Sequence, residues 1–201
     1  MQKTGLTHHM ARVAIFGALA GVFYSFLKFP LPFLPPFLEI NFSDVPALIA
    51  SYAFGPIIGS LVQVVKIIVK IIIVGTSTAY VGEFADIVFG IAIVVPTGLI
   101  YAKNRNFKGA IVAIIVGGLV NLLVTTFGNL WIMLPFYVRF FFNGNENILL
   151  GIVQGVNASI TNVRWSLVLW GVLPFNIIKN TMIILITFLI YKRISPIIKK
   201  I

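Results

Sequence analysis

A lysine stands inside the last apolar run of the chain, and that placement restricts the folds open to it. The run from Trp165 to Tyr191 is long enough to cross a bilayer, and Asn176, Lys179 and Asn180 interrupt it. An ionisable group at bilayer depth costs at least about 2.5–3.5 kcal/mol on insertion scales, so such groups face a bundle interior or a water-filled cavity. The chain must therefore wrap other helices around Lys179. A binding site or a transport path is the expected use of the residue.

Composition agrees with a membrane setting. The chain is 59% hydrophobic and 10% charged, with a mean hydropathy of +1.05; soluble domains carry about 25% charged residues. The apolar runs are of helical length and do not alternate as barrel strands do. The reading is a single transmembrane domain over residues 1–201, all-α, in a multi-pass protein. Cysteine is absent, which excludes disulfide and thiol chemistry.

The net charge of +10 raises nucleic acid as a partner, but its distribution argues against one. Lys3, Arg12, Lys103, Arg105, Lys108, Lys192, Arg193, Lys199 and Lys200 cluster at the two ends and in one short loop, where none of the five acids lies. Cytoplasmic loops carry this excess of Lys and Arg, which places both termini and the 103–108 loop in the cytoplasm. The triplet Ala18-Leu19-Ala20 resembles a signal cleavage site but falls inside the apolar run, so an uncleaved first span is expected.

Spans are expected at about 10–29, 44–55, 57–74, 83–102, 109–138 and 166–191. The proline-rich stretch Phe29 to Phe37 reads as an extended loop, because closely spaced prolines cannot continue a helix. Gly55-Pro56 divides the long apolar stretch 45–73 into two helices. Parity supports the division: three cytoplasmic basic segments require an even number of crossings before and after residue 103. This predicts a six-transmembrane-helix bundle. Glu39, Asp44, Glu83, Asp86 and Glu146 then all lie in or beside outer loops.

Helical rise puts Lys179 roughly 18 Å from the inner boundary and Asn129 roughly 30 Å along its own helix. Asn176 and Lys179 share a face at i, i+3, and Pro174 suits a first turn or a kink. These residues can converge on one outward-facing pocket. The alternatives are that Lys179 snorkels or pairs with Glu83 or Asp86 and that the asparagines join helices. Lys66 and Lys70, at i, i+4, are expected to face acids across the bundle or to snorkel, the functional alternative being attraction of an anionic ligand group. Trp131 is a candidate wall for a flat ligand. His8 and His9 lack metal-ligand spacing, and no metal site is expected.

Span 1 carries Ala14-x-x-x-Ala18 and Gly17-x-x-x-Gly21. Small residues one turn apart admit a second helix closely, either within the bundle or from a partner protein. No P-loop, H-E-x-x-H or G-x-S-x-G motif occurs, so no catalytic residue or catalytic cofactor is expected. A small bundle with an outer pocket and no energy source suggests a receptor that relies on a separate motor.

Several segments carry a family resemblance: Lys28-Phe-Pro-Leu-Pro-Phe-Leu-Pro-Pro-Phe-Leu38, Phe42-Ser-Asp-Val-Pro-Ala-Leu48, Phe54-Gly-Pro56, Gly75-Thr-Ser-Thr78, Asn129 to Pro135, and Pro174-Phe-Asn-Ile-Ile-Lys179. They resemble the substrate-binding S subunits of energy-coupling-factor (ECF) transporters, specifically the riboflavin-specific ones, over nearly the whole chain. The resemblance implies the six-helix S-component fold in a prokaryotic cell membrane. It also implies high-affinity riboflavin binding at the outer side, with flavin mononucleotide (FMN) a further candidate ligand. The implied partners are a transmembrane coupling protein and two ATPases.

The resemblance further implies that Asn129, Asn176 and Lys179 contact the vitamin, with Glu39, Asn41 and Asp44 from the 39–44 segment and Thr76 from the 75–82 loop lining or capping the site. Ala14 and Ala18, with Gly17 and Gly21 beside them, match the family's small-residue docking motif. The chain departs from the usual family pattern at Asn41, Gln63, Ile67 and Asp86. A flat ring system wants apolar walls and a polyol wants a few placed donors and acceptors, which suits this inventory. An S subunit for another small molecule, a membrane-embedded enzyme and a scaffold are the competing readings.

Overall fold

Gly55 divides the second apolar stretch as its sequence requires. Its backbone is left-handed, at φ 94°, a region that glycine enters without a Cβ clash. The helix before it, α2, spans Asp44–Phe54, and α3, Pro56–Val74, begins with proline in its first turn. The computed structural model describes residues 5–35 and 37–198, with side chains through residue 193. Lys3, Pro36, Lys199 and Lys200 therefore lie outside the described residues.

The first helix, α1, runs Leu6–Phe26, and α4 runs Val81–Lys103. The fifth, α5 at Phe107–Gly128, continues through a π turn at Asn129–Met133 into α6, Leu134–Phe141. A short helix, α7, follows at Glu146–Gln154. The last rod begins as α8, Trp165–Leu167, passes through a second π turn at Val168–Val172 and continues as α9, Leu173–Ile198. Among the described residues, α1 packs along α3, α4 along α5, and α9 against α2 and α5.

Five segments are long and apolar enough to cross a membrane: Leu6–Phe26, Pro56–Val74, Val81–Lys103, Phe107–Phe141 and Trp165–Arg193. The expected sixth, α2, has 11 residues, a length of about 16 Å against a hydrocarbon core of about 30 Å. Eight of its residues are buried, so α2 is a core helix enclosed by protein.

Two elements depart from the sequence reading. The proline-rich loop is closed by an antiparallel ladder, so the fold is not purely helical. Strand β1, Lys28–Pro30, pairs with β2, Glu39–Asn41, in the register Lys28↔Asn41, Phe29↔Ile40 and Pro30↔Glu39. Proline is tolerated here because the ladder has only two strands and Pro30 ends one of them. The 139–165 connection contains α7, which the Asn143-Gly-Asn-Glu-Asn147 composition masks. Asn143 and Gly144 make a left-handed turn, and the Asn145 side chain then caps α7 by accepting from the Asn147 amide at 3.1 Å.

The small residues of α1 split into two faces. A Cβ built on Gly17 would fall 2.4 Å from Val65 Cγ1, and one on Gly21 would fall 2.4 Å from Val69 Cγ1. These glycines bring α1 against α3, which corrects their assignment as docking residues. Ala14 and Ala18 lie on the exposed face.

At the basic end of the bundle, Tyr52, Tyr101 and Tyr191 form a buried cluster. The Tyr52 hydroxyl donates to the Ala110 carbonyl at 2.8 Å, and the Tyr101 and Tyr191 hydroxyls are 2.7 Å apart. Together they tie α2, α4, α5 and α9 at this end.

Candidate functional site

At the opposite end, Asp44 begins α2 and collects positive charge from two helices. Its Oδ1 accepts from Lys66 Nζ and from Gln63 Nε2, each at 3.0 Å. Its Oδ2 lies 3.6 Å from Lys179 Nζ. Lys179 therefore points into the bundle, and its ion-pair partner is Asp44 in place of Glu83 or Asp86. Glu83 is occupied otherwise, by Lys70 Nζ at 2.5 Å and by the Thr78 hydroxyl. The expectation that Lys66 and Lys70 face acids across the bundle holds for both.

A cavity of about 180 Å³ with an open mouth lies above this network. Asn129, Asn176, Lys179, Glu39, Asn41 and Asp44 all line it, so six of the eight ligand-binding candidates share one space. Leu38, Phe37, Phe89 and Phe175 supply apolar wall, and Tyr24, Lys28, Asp86, Gly90, Asn121, Thr125 and Asn180 complete the lining.

The two asparagines from α5 and α9 are positioned by the π turns. Asn129 opens the first and donates to Thr125 O at 2.8 Å; Asn176 donates to Val172 O, the last residue of the second, also at 2.8 Å. A π turn disturbs the regular hydrogen-bond ladder and recurs at functional sites. Each carboxamide thus anchors one amide hydrogen to its own helix and keeps a second hydrogen and its oxygen for a ligand.

The hairpin closes another side. Lys28 Nζ and Glu39 Oε2 form a half-exposed ion pair of 2.7 Å across the ladder. Asn41 Oδ1 accepts from the Ser43 hydroxyl at 2.6 Å and from the Ser43 amide at 3.3 Å, which fixes the turn into α2.

Two candidates lie elsewhere. Thr76 does not line the cavity; its Oγ1 accepts from the amides of Thr78 and Tyr80, each at 3.2 Å, and so shapes the 75–80 turn. Trp131 is 67% exposed and stacks on Phe127 with ring centroids 5.0 Å apart. It lines a shallow apolar groove with Leu123 and Ile132, which corrects its placement as a ligand wall: the helix turns it away from the cavity. No cluster of metal-ligating side chains occurs among the described residues.

Asn180 takes the helix-joining role: its Nδ2 reaches Asn121 Oδ1 at 3.0 Å and Gly118 O at 3.2 Å, while Asn121 Nδ2 donates to Phe89 O at 2.7 Å. Asn121, Thr125, Tyr24 and Asp86 were missed as cavity residues. A signal for two of them existed, since Asn121, Thr125 and Asn129 repeat at i, i+4, i+8 and so share one helix face. Tyr24 from α1 and Asp86 from α4 meet in the cavity lining, a pairing that no local pattern announces.

The bundle and this open-mouthed cavity, lined mostly by polar side chains with Phe37, Phe89 and Phe175 among them, define a multi-pass membrane protein with a site for a small molecule. The chain belongs to the family described as "ECF transporter, substrate-specific component", which it matches over residues 8–191. It is 33% identical over 189 residues to the "Riboflavin transporter RibU" of Staphylococcus aureus (strain TCH60), covering 94% of this chain and 91% of that one. It is 31% identical over 171 residues to the "Riboflavin transporter FmnP" of Bacillus subtilis (strain 168), covering 85% and 83% respectively.

A solved structure described as "Structure and mechanism of the S component of a bacterial ECF transporter" superposes with a TM-score of 0.72 at 29% identity. It covers 97% of this chain and 99% of that one. The fold is therefore that of an ECF S component, and the protein is a transport protein rather than an enzyme.

Proposed function

We propose that this chain binds riboflavin in the cavity above Asp44 and serves its uptake as the substrate-specific subunit of an ECF transporter. The observation that carries the reading is the convergence of Lys179, Asn176 and Asn129 on one space walled by Phe37, Phe89 and Phe175. The similarity to two riboflavin transporters over most of the chain supports the same ligand. A flat three-ring head fits apolar walls. Lys179 offers donors only, while each asparagine offers a donor and an acceptor, as carbonyl and hydroxyl oxygens of the vitamin require.

In this arrangement Lys179 and Asn176 bind ligand oxygens from α9, and Asn129 does so from the α5 side. Glu39, Asn41 and Asp44 line the wall beneath the hairpin, and Thr76 acts indirectly by shaping the turn before α4. Both termini are cytoplasmic, with the short core helix α2 running inward from the outer hairpin and α3 returning outward, so that six segments alternate in direction. The whole of 1–201 acts as a single transmembrane domain. The exposed Ala14 and Ala18 face meets a transmembrane coupling protein, through which two ATPases supply the energy.

The test is a titration of the purified protein with riboflavin, followed by quenching of flavin fluorescence. Stoichiometric quenching, and a yellow protein after purification from riboflavin-containing medium, are expected. A colourless protein that leaves flavin fluorescence unquenched would point to a different small molecule.

A further inference from the structure

The basic end of the bundle carries cations that the cavity does not use. Lys103, Arg105 and Lys108 stand on the α4–α5 connection, and Lys192 and Arg193 stand near the end of α9; all five are exposed. Among the described residues none of them forms an ion pair. Two contacts bring them together. The Tyr101 and Tyr191 hydroxyls are 2.7 Å apart, with Lys103 two residues past the first tyrosine and Lys192 next to the second. The Phe107 and Phe188 rings lie 5.1 Å apart, with Lys108 beside the first and Lys192 one turn past the second. We propose that this end is a docking site for an anionic phospholipid, its phosphate among Lys103, Arg105, Lys108 and Lys192 and its chains along the seam between α5 and α9.

No acid of the chain offsets the charge. Glu83 and Asp86 share α4 with Lys103 but lie about 30 and 26 Å from it along the helix. Glu39 and Asp44 line the cavity at the other end, and Glu146 begins α7 beyond the far end of α5. Lys108 also stands in the first turn of α5, where the helix dipole favours an anion and no acidic residue is present. Five like charges held at one end therefore call for anions from outside the chain.

The apolar surface beside the cations decides what carries the anion. Phe107 is exposed, as is Ile115 on the same helix face at i+8, and the exposed Leu185 and Leu189 flank Phe188 on α9. The two helices pack together, and both belong to segments able to cross a membrane. A soluble anion would meet the cations alone. A phospholipid sets its phosphate among them and lays its chains on this surface, as anionic headgroups do in basic pockets between membrane helices.

Native mass spectrometry of the full-length protein in detergent, titrated with phosphatidylglycerol or with phosphatidylcholine of matched chains, tests the site. The natural protein should retain phosphatidylglycerol at least about five-fold more tightly, or ~1 kcal/mol, the scale of one cation near an anionic surface. Lys108→Gln with Lys192→Gln should remove most of that preference. Arg139→Gln with Arg164→Gln takes the same two charges from exposed positions near the other ends of these rods, and should leave it unchanged. Equal retention of the two lipids by the natural protein overturns the proposal, and so does an equal loss in both double variants, which reduces the preference to net charge. A preference that survives Lys108→Gln with Lys192→Gln also overturns it; should that variant fail to assemble with the coupling protein, the cations serve a protein partner instead.

Discussion

Lys179 and Lys66 approach one carboxylate from two helices: Asp44 Oδ2 lies 3.6 Å from Lys179 Nζ, and Oδ1 lies 3.0 Å from Lys66 Nζ. The two contacts are unequal in length and in surroundings. Lys66 is sealed in the bundle, while Lys179 also lines the cavity. Asp44 is thus held by Lys66 and Gln63 whether or not a ligand engages Lys179. The longer contact leaves that ammonium poised to share its donors.

Replacing Lys179 by alanine should therefore weaken riboflavin binding by about 1–3 kcal/mol, the scale of a lost hydrogen bond to a charged group. The dissociation constant from flavin quenching checks this. A value equal to that of the natural protein would remove Lys179 from the ligand shell.

Asp44→Ala should act on stability first. It strips the carboxylate from Lys66, a cation 1% exposed, and breaking a buried pair by removing one partner typically costs about 3–5 kcal/mol. Heating the detergent-solubilised protein and measuring what remains monodisperse should show a marked loss of thermal tolerance in Asp44→Ala and a smaller one in Lys179→Ala, whose ammonium borders the cavity. Equal tolerance in the two variants would contradict Asp44 as the organising charge.

Much of this site was legible because membrane burial makes polar residues conspicuous. Lys179 and Asn176 stand out against an apolar run, and helical rise alone places them in the outer half with Asn129. The partner of Lys179 was not legible, because Asp44 lies on a different helix and the choice among Asp44, Glu83 and Asp86 depends on how α2, α4 and α9 are arranged. Trp131 misled for a related reason: proximity to Asn129 in sequence says little about direction, since two residues along a helix rotate about 200° around its axis. The β1–β2 ladder escaped notice because three-residue strands among prolines carry no alternation to read.

The two small-residue stripes of α1 should separate experimentally. Ala14→Trp adds bulk on the exposed face and should preserve flavin affinity while preventing recovery of a complex with the coupling protein. Gly17→Val should instead disturb the bundle, since even a Cβ there would sit 2.4 Å from Val65 Cγ1; overpacking of this kind costs about 1–3 kcal/mol. An intact complex carrying Ala14→Trp would rule out this face as the docking surface.

Trp131 provides the contrasting test near the cavity. It is 67% exposed and packs on Phe127 in an apolar groove outside the site, so Trp131→Ala should leave the riboflavin dissociation constant within about two-fold, under ~0.5 kcal/mol. Phe175, 6% exposed in the cavity wall one residue before Asn176, should behave differently. Phe175→Ala removes aromatic wall and opens a void, so flavin affinity should fall well beyond the Trp131→Ala change, measured in the same quenching titration. Were Trp131→Ala the more damaging of the two, the ligand would have to sit on the lipid side of α5, and the cavity above Asp44 would not be its site.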